Sequence, residues 1–276
     1  MPRLSIIIVT YNSIGEIDAC LASLARSLPP LDAETIVVDN ASGDGTADAV
    51  RGRWPAVRVI DAGANTGFAR ATNLGIRRSS APLLLFLNPD TEAASGAIER
   101  LVHALDSSPD AAVAGPRLLD ERGRVELSFG RMIAPLAELR QKLLVRGHDR
   151  GLPVVSSYVE RLTRRARAVD WVSGACLLAR RSDTEAVGLF DERYFMYAED
   201  VDFCAAIRAR GRKVLFVPEA EVRHMRGRSA ASRPLATEAA YRRSQLAFYE
   251  KHHPRWAPLV RAYLALRGRL PDRPSR

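Results

Sequence analysis

An α/β architecture with a mostly parallel central sheet is what the first 120 residues predict, on three observations. Short β-rich runs, apolar almost throughout, recur at Leu4–Val9, Thr35–Asp39, Val57–Ile60, Leu83–Leu87 and Ala111–Ala114. Stretches with helical spacing lie between them, at Ile17–Leu28, Thr46–Arg53, Ala69–Arg78 and Ala97–Leu105. Polar clusters follow four of the five β-rich runs.

Strands buried on both faces read as continuous apolar runs, and their alternation with helices marks a parallel sheet covered on both sides. In the first helix Ile17, Leu21, Leu24 and Leu28 recur at helix spacing and form one apolar stripe. Right-handed crossovers then make this a doubly wound, Rossmann-like half. Ligands of such sheets bind at the carboxyl ends of the strands, so the residues there are the ones to inspect.

The remainder is patterned differently. Residues 131–168 carry nine Arg/Lys against three acids, with helical patterning in Leu136–Val145 and Tyr158–Arg165. A β-rich run, Val169–Leu178, precedes FDERYFMYAEDVDFC, a helix to about Arg210 and a strand at Lys213–Val217. From Leu235 onward Tyr241, Leu246, Phe248, Tyr249, Trp256, Tyr263 and Leu264 alternate with arginines, as in one or two amphipathic helices. The expected division is 1–230, with halves 1–120 and 121–230, followed by a basic helical tail, 231–276.

A chain of 276 residues, 47% hydrophobic and 26% charged, suffices for a sizeable core. No apolar run approaches the roughly 20 residues that span a bilayer. The apolar stretch after MPR is too short for a signal peptide, so a cytoplasmic location is expected. Cys20, Cys176 and Cys204 are far apart in sequence and read as buried or free thiols. The net charge of +9 is uneven, since residues 207–276 hold 17 Lys/Arg against 5 Asp/Glu. Such a tail calls for an anionic partner. No nucleic-acid motif accompanies it, which leaves an anionic membrane surface or a phosphorylated substrate. Arginines interleaved with aromatics suit a helix lying on the inner face of the cell membrane.

The strand ends carry Thr10-Tyr11-Asn12, Asp39-Asn40-Ala41-Ser42-Gly43-Asp44-Gly45-Thr46, Asn65-Thr66-Gly67-Phe68-Ala69 with Asn73, and Asn88-Pro89-Asp90. These are turn and cap residues as well, but the topology sends all four clusters to one rim. Gly43-x-Gly45 falls short of the dinucleotide fingerprint, so NAD is disfavoured. Asn88-Pro89-Asp90 offers oxygen ligands to a hard cation such as Mg²⁺, whose shell is commonly completed by substrate phosphates. Glu199-Asp200-Val201-Asp202 opens a helix, where acids are favoured in any case. It also follows the aromatic Tyr194-Phe195-Met196-Tyr197, and carboxylates crowded in a partly dry pocket suit a general base.

Taken in order, SIIIVTYNS, IVVDNASGDGT, NTGFARATNLGI, LFLNPDT, WVSGACLLARR and FDERYFMYAEDVDFCAAIRARG resemble glycosyltransferase family 2, nearest its rhamnosyltransferase-like bacterial members, over residues 3–229. The resemblance implies a GT-A fold, with a nucleotide-binding half joined to an acceptor-binding half. It places Thr10, Tyr11 and Asn12 in the nucleotide pocket and Asp39 against the pyrimidine base. Asn65, Gly67, Phe68, Ala69 and Asn73 shape the nucleotide and sugar site. Asn88-Pro89-Asp90 occupies the position of the family's Asp-x-Asp metal motif, with Asn at its first position and Asp90 as the matching ligand of Mg²⁺ or Mn²⁺. Trp171, Ser173 and Gly174 match the segment near the donor sugar. Asp200 matches the catalytic base, flanked by Glu199 and Asp202. His224 matches a position that approaches the metal or diphosphate, and Arg226 and Arg228 are placed to pair with diphosphate.

The implied reaction is a single, inverting displacement from a nucleotide sugar onto a glycan or polyprenyl-linked acceptor. The resemblance favours dTDP-rhamnose and leaves UDP- and GDP-sugars open. A sugar nucleotidyltransferase would carry a Gly-rich basic loop where Thr10-Tyr11-Asn12-Ser13 stands, and a catalytically silent relative would lack the acidic cluster.

Overall fold

The computed structural model describes residues 2–27, 32–225 and 234–271. The chain runs β1 (Leu4–Thr10), α1 (Ile17–Ser27), β2 (Ala33–Asp39), α2 (Thr46–Arg53), β3 (Arg58–Asp61), α3 (Phe68–Arg77), β4 (Leu83–Leu87) and β5 (Thr91–Ala93). It continues through α4 (Ala97–Asp106), β6 (Ala111–Leu119), β7 (Phe129–Gly130), α5 (Pro135–Asp149), α6 (Pro153–Leu162), β8 (Arg167–Val169) and β9 (Trp171–Val172). The last elements are β10 (Cys176–Arg180), α7 (Arg181–Ala186), α8 (Glu199–Ala209), β11 (Lys213–His224), α9 (Pro234–His252) and α10 (Ala257–Leu266).

The main sheet has the order β3-β2-β1-β4-β10-β6-β11-β5, with β8 pairing on β11. The first four strands are parallel, as the apolar runs predict. Successive residues of β1 serve opposite cores. Ile6 and Ile8 pack with Leu21, Leu24 and Leu101 on one face; Ile7 and Val9 pack with Ala69, Ile76 and Phe203 on the other. No residue of β1 can therefore be polar without a partner, and Ser5 has one in Glu34 at 2.7 Å.

Three features depart from the expected pattern. The run Val169–Leu178 is not one strand but β8, β9 and β10, of which β9 pairs with β7 in a separate two-stranded ribbon. β10 enters antiparallel between β4 and β6, with Cys176 opposite Leu87. Its start, not its end, therefore lies at the rim formed by the ends of the parallel strands. β11 runs on past Val217 to His224, and its far half pairs with β5.

The basic tail begins as part of the same body. Phe248 and Tyr249 of α9 are each 1% exposed. Tyr249 Oη and Gln245 Nε2 both donate to Glu138 of α5, at 2.6 Å each. Ser244 Oγ donates to the Met196 carbonyl at 2.7 Å. The apolar side of α9 is thus used in packing against the protein itself. No helix among the described residues is long and apolar enough to cross a membrane.

Candidate active site

Hydrogen bonds tie neighbouring polar strand ends together in groups along the rim. Thr10 Oγ1 donates to Asp39 Oδ1 at 3.1 Å, and the Ser42 amide donates to Asp39 Oδ2 at 3.0 Å. Both bonds fix the Asp39 carboxylate, which is 5% exposed. Asn12 takes a left-handed φ of 53°, donates its amide to Ser42 Oγ and accepts from the Gly43 amide. Asn is among the few side chains that tolerate this conformation. Tyr11 lies beside them, partly exposed.

Asn40 links this pair of loops to the next one. Its Nδ2 donates to Asn65 Oδ1 at 3.0 Å and its Oδ1 accepts the Thr66 amide at 2.9 Å. Gly67 follows with φ +86°, and a Cβ there would sit 2.5 Å from the Phe195 carbonyl. Only glycine meets both demands. The approach lets the Phe68 amide donate to that carbonyl at 2.7 Å, drawing the segment before α8 onto the rim beside Asn40 and Asn65.

The ends of β4 and β10 supply the next links. The Asn88 amide donates to the Ala175 carbonyl at 2.9 Å, and the Gly174 amide donates to Asp200 Oδ2 at 2.8 Å. A Cβ on Gly174 would stand 3.2 Å from that of Asp200, so the absence of a side chain lets the carboxylate close on the amide. Ser173 donates its amide to the Ser128 carbonyl at 2.8 Å. The Trp171 indole donates to the Arg131 carbonyl at 2.9 Å, pinning the β7–β9 ribbon beside Gly174.

Asp200 and Glu199 sit together at the start of α8, but their surroundings differ. Asp200 is partly exposed and accepts a second amide, that of Val201, at 2.8 Å. Burial raises its pKa, and the two amides oppose that rise. Glu199 is 7% exposed and its Oε2 is buried without a hydrogen-bond partner. Burial first, and the Asp200 charge second, push its pKa up to about 8. Between the two, burial favours the proton on Glu199, while the two amides oppose protonation of Asp200 and hold its carboxylate toward the rim.

This arrangement ties stability to pH. Unfolded Glu199 ionises near its ordinary 4.5, whereas the folded chain keeps the proton up to about 8. Folding takes up a proton in that window, so the contribution is whole below pH 4.5 and is lost as pH rises through about 8. Glu199→Gln mimics the protonated form, so the melting temperature of wild type falls relative to that of the variant across this interval. Parallel melting curves from pH 5 to 9 would show that Glu199 ionises normally.

The third group joins Asp90 and His224, which the β5–β11 pairing sets side by side. His224 Nε2 lies 3.4 Å from Asp90 Oδ1, and its Nδ1 lies 3.4 Å from Glu126 Oε2. Burial disfavours charge on the ring, but the two carboxylates outweigh it and raise its pKa to about 9. Among the described residues no cluster of three or more His, Cys, Asp or Glu forms a ready cation site. Asp90 and His224 could offer two ligands, the ring of His224 once its proton is displaced. That set suits Mg²⁺ or Mn²⁺ arriving with a diphosphate that fills the remaining positions.

Some expected donor-site residues serve the protein instead. Asn73 is 1% exposed; its Nδ2 donates to the Phe190 carbonyl and Glu192, and its Oδ1 accepts from the Phe190 amide. It closes the loop after α7 and does not line the rim. Ala69 is fully buried in the core beneath α3. Asp202 is 2% exposed and is engaged by Tyr194 Oη at 3.2 Å, Lys251 Nζ at 2.8 Å and His252 Nε2 at 2.6 Å. Two residues along a helix turn a side chain by about 200°, so Asp202 faces α9 while Asp200 faces the rim. Arg226 and Arg228 lie outside the described residues.

The sequence places Asn40 in a rim cluster without assigning it a role, and it does not point to Glu126 or the Phe195 carbonyl. A lone acid inside the apolar run Val125–Phe129 was the available signal for Glu126. Nothing local marks a backbone carbonyl. The cysteines are all buried, and burial raises the Cys20 thiol to about 12, so none is a nucleophile.

The sequence matches the glycosyl transferase family 2 profile over residues 5–165. It is 35% identical to the N-acetylglucosaminyl-diphospho-decaprenol L-rhamnosyltransferase of Mycobacterium tuberculosis, over 99% of this chain and 94% of that protein. It is 29% identical to the low-salt glycan biosynthesis hexosyltransferase Agl10 of Haloferax volcanii, over 74% of this chain and 61% of that one. The fold matches the mannosyltransferase PcManGT of Pyrobaculum calidifontis, solved with GDP-Man and Mn²⁺, with TM-score 0.64 and 19% identity over 95% of this chain and 69% of that one. It also matches GalNAc-T7 with UDP, GalNAc and Mn²⁺, with TM-score 0.60 and 18% identity over 82% of this chain and 44% of the other. A profile match over more than half the chain and identity along nearly all of it lead to one conclusion: this chain belongs to glycosyltransferase family 2 and is a sugar-transferring enzyme with the GT-A fold.

Proposed function

We propose that the enzyme transfers L-rhamnose from dTDP-rhamnose to a sugar on a polyprenyl diphosphate, by a single displacement that inverts the anomeric carbon. The observation that carries this reading is Asp200, its carboxylate held between two amide donors and partly open at the rim where the donor loops meet. The rhamnosyl and polyprenyl parts rest on the relative that is 35% identical over nearly the whole chain.

Asp39, held by Thr10 and Ser42, faces the base of the nucleoside, with Tyr11, Asn12 and Asn65 beside it. Asp200 accepts the proton of the acceptor hydroxyl as that oxygen attacks the anomeric carbon, and the bond to the diphosphate breaks. Glu199 keeps its proton through the step and so adds no second charge to repel the incoming oxyanion. One base and one displacement account for inversion; a covalent intermediate would need a separate nucleophile at the sugar. A divalent ion between Asp90, His224 and the donor would supply charge neutralisation for the departing diphosphate. The lipid-linked acceptor puts the reaction at the inner face of the cell membrane.

A donor screen tests this. Purified protein with Mg²⁺ or Mn²⁺ is melted with dTDP-, UDP- and GDP-sugars, and slow donor hydrolysis is followed in parallel. A donor at a hundredfold its Kd stabilises by about 2.7 kcal/mol, so dTDP-rhamnose with metal gives a clear upward shift that EDTA abolishes. A shift with a UDP- or GDP-sugar alone overturns the rhamnosyl assignment. No shift with any donor overturns the rim as a nucleotide-sugar site.

A further inference from the structure

The hairpin of α5 and α6 has two faces, of which one is covered among the described residues. Leu144, Val145, Val155 and Leu162 pack on the core, and Val159 is fully buried. On the outer side Leu136, Leu139 and Leu143 are 83%, 55% and 59% exposed. These three fall at i, i+3 and i+7, one stripe of a helix. At about 100° per residue, Arg140 lies about 40° to one side of Leu136, and Arg146 about 20° beyond Leu139 on the other. Leu152 and Val154, at the turn into α6, are exposed as well.

We propose that this hairpin is the membrane-docking element of the enzyme, its leucine stripe entering the interface of an anionic bilayer while the flanking arginines meet the headgroups. Leucines in a row with long cationic side chains on both margins match an interfacial helix, because arginine stems lie along apolar surface while their heads stay in water. Arg146 and Arg150 are exposed and form no ion pair among the described residues. At the far end Arg161, Arg165 and Arg167 line a cavity of about 200 Å³ with Tyr158 and Leu162. With nine basic residues against three acids over residues 131–168, the element repels a second copy of itself and attracts an anionic surface.

The location fits the reaction. The hairpin springs from β7, whose Gly130 pairs with Trp171, and the same ribbon holds Gly174 against Asp200. A bilayer under α5 would thus contact the element that continues from the ribbon beside the base. The functional meaning rests on the polyprenyl-linked acceptor proposed above; the docking itself does not.

The test is flotation of the full chain with vesicles of phosphatidylglycerol, and of phosphatidylcholine as control. Wild type is expected to float with the anionic vesicles and far less with the neutral ones. Leu136→Gln/Leu139→Gln/Leu143→Gln is expected to lower its partition at least about tenfold, the scale of losing one of two membrane signals. Arg146→Glu/Arg150→Glu should lower it similarly, and more at low salt. Leu259→Gln/Leu266→Gln, in α10, should leave it near wild type. Melting curves and donor hydrolysis without acceptor should be unchanged in all three, which separates loss of docking from loss of fold or donor site. Failure of the donor screen with intact vesicle binding would sink the assigned reaction and not the docking surface. The proposal is overturned if the leucine variant floats as wild type, if the α10 variant carries the loss, or if wild type ignores anionic vesicles. It is equally overturned if the leucine variant only converts a dimer to a monomer in gel filtration.

Discussion

Asp200→Asn is expected to reduce turnover at least about 100-fold while leaving donor affinity within a few-fold of wild type, the usual scale for removing a general base. The asymmetry follows from position. Among the described residues the Asp200 carboxylate is hydrogen-bonded by the amides of Gly174 and Val201, and not by the loops that hold Asp39, Asn40 and Asn65. Asparagine has one oxygen for two amide donors, so one amide loses its acceptor, at a cost of about 1–3 kcal/mol. A melting curve must therefore accompany the assay. The check is single-turnover kinetics at saturating donor, with donor binding by calorimetry. Near-wild-type turnover would remove Asp200 from the base role.

The pH profile of the wild-type enzyme adds an independent reading of the same carboxylate. Burial raises the Asp200 pKa in spite of its two amides. The base is active when ionised, so kcat falls as pH drops through that raised value, above the range of an ordinary aspartate. Glu199 complicates the alkaline side. Losing its proton near pH 8 places a second charge beside Asp200. The acidic limb should vanish in Asp200→Asn, along with the bulk of the rate.

Asp202→Ala is expected to cost about 2–3 kcal/mol of folding stability, below the 3–5 kcal/mol typical of breaking a fully buried pair. The discount reflects Lys251 and His252, whose side chains are 30% and 24% exposed and regain water when the carboxylate is gone. Tyr194 is 1% exposed, and its hydroxyl loses its acceptor outright. The effect centres on α9, which Asp202 ties to α8. Denaturant unfolding measures the loss, and limited proteolysis should show earlier cleavage in the C-terminal region. Donor affinity should stay within a few-fold of wild type. A large specific loss of donor binding in a folded variant would return Asp202 to the donor site.

The two acids, separated by one residue, show where local pattern carries and where it stops. EDVD announces a helix start with three carboxylates, and the helical period alone implies that Asp200 and Asp202 face different ways. Which of them faces ligand depends on what packs behind α8. That neighbour is α9, some fifty residues later. Similarly, Asn40 stands in the same turn as Asp39, yet its task of holding Asn65 and Thr66 exists only once two loops meet.

The sequence by itself determined the parallel half of the sheet, the polar clusters on its rim, the acidic helix start and the family. These follow from short-range facts: runs apolar on both faces, helix-spaced stripes, and polar residues where strands must end. The tertiary structure alone decided that β10 enters antiparallel and delivers Gly174 to Asp200, and that β11 reaches far enough to set His224 between Asp90 and Glu126. It also decided that α9 spends its apolar side on the body, while the leucines of α5 stay exposed. Strand direction and helix docking are chosen by partners distant in sequence. A strand's own apolar pattern is the same in either direction, and a helix's stripe does not name the surface that will cover it.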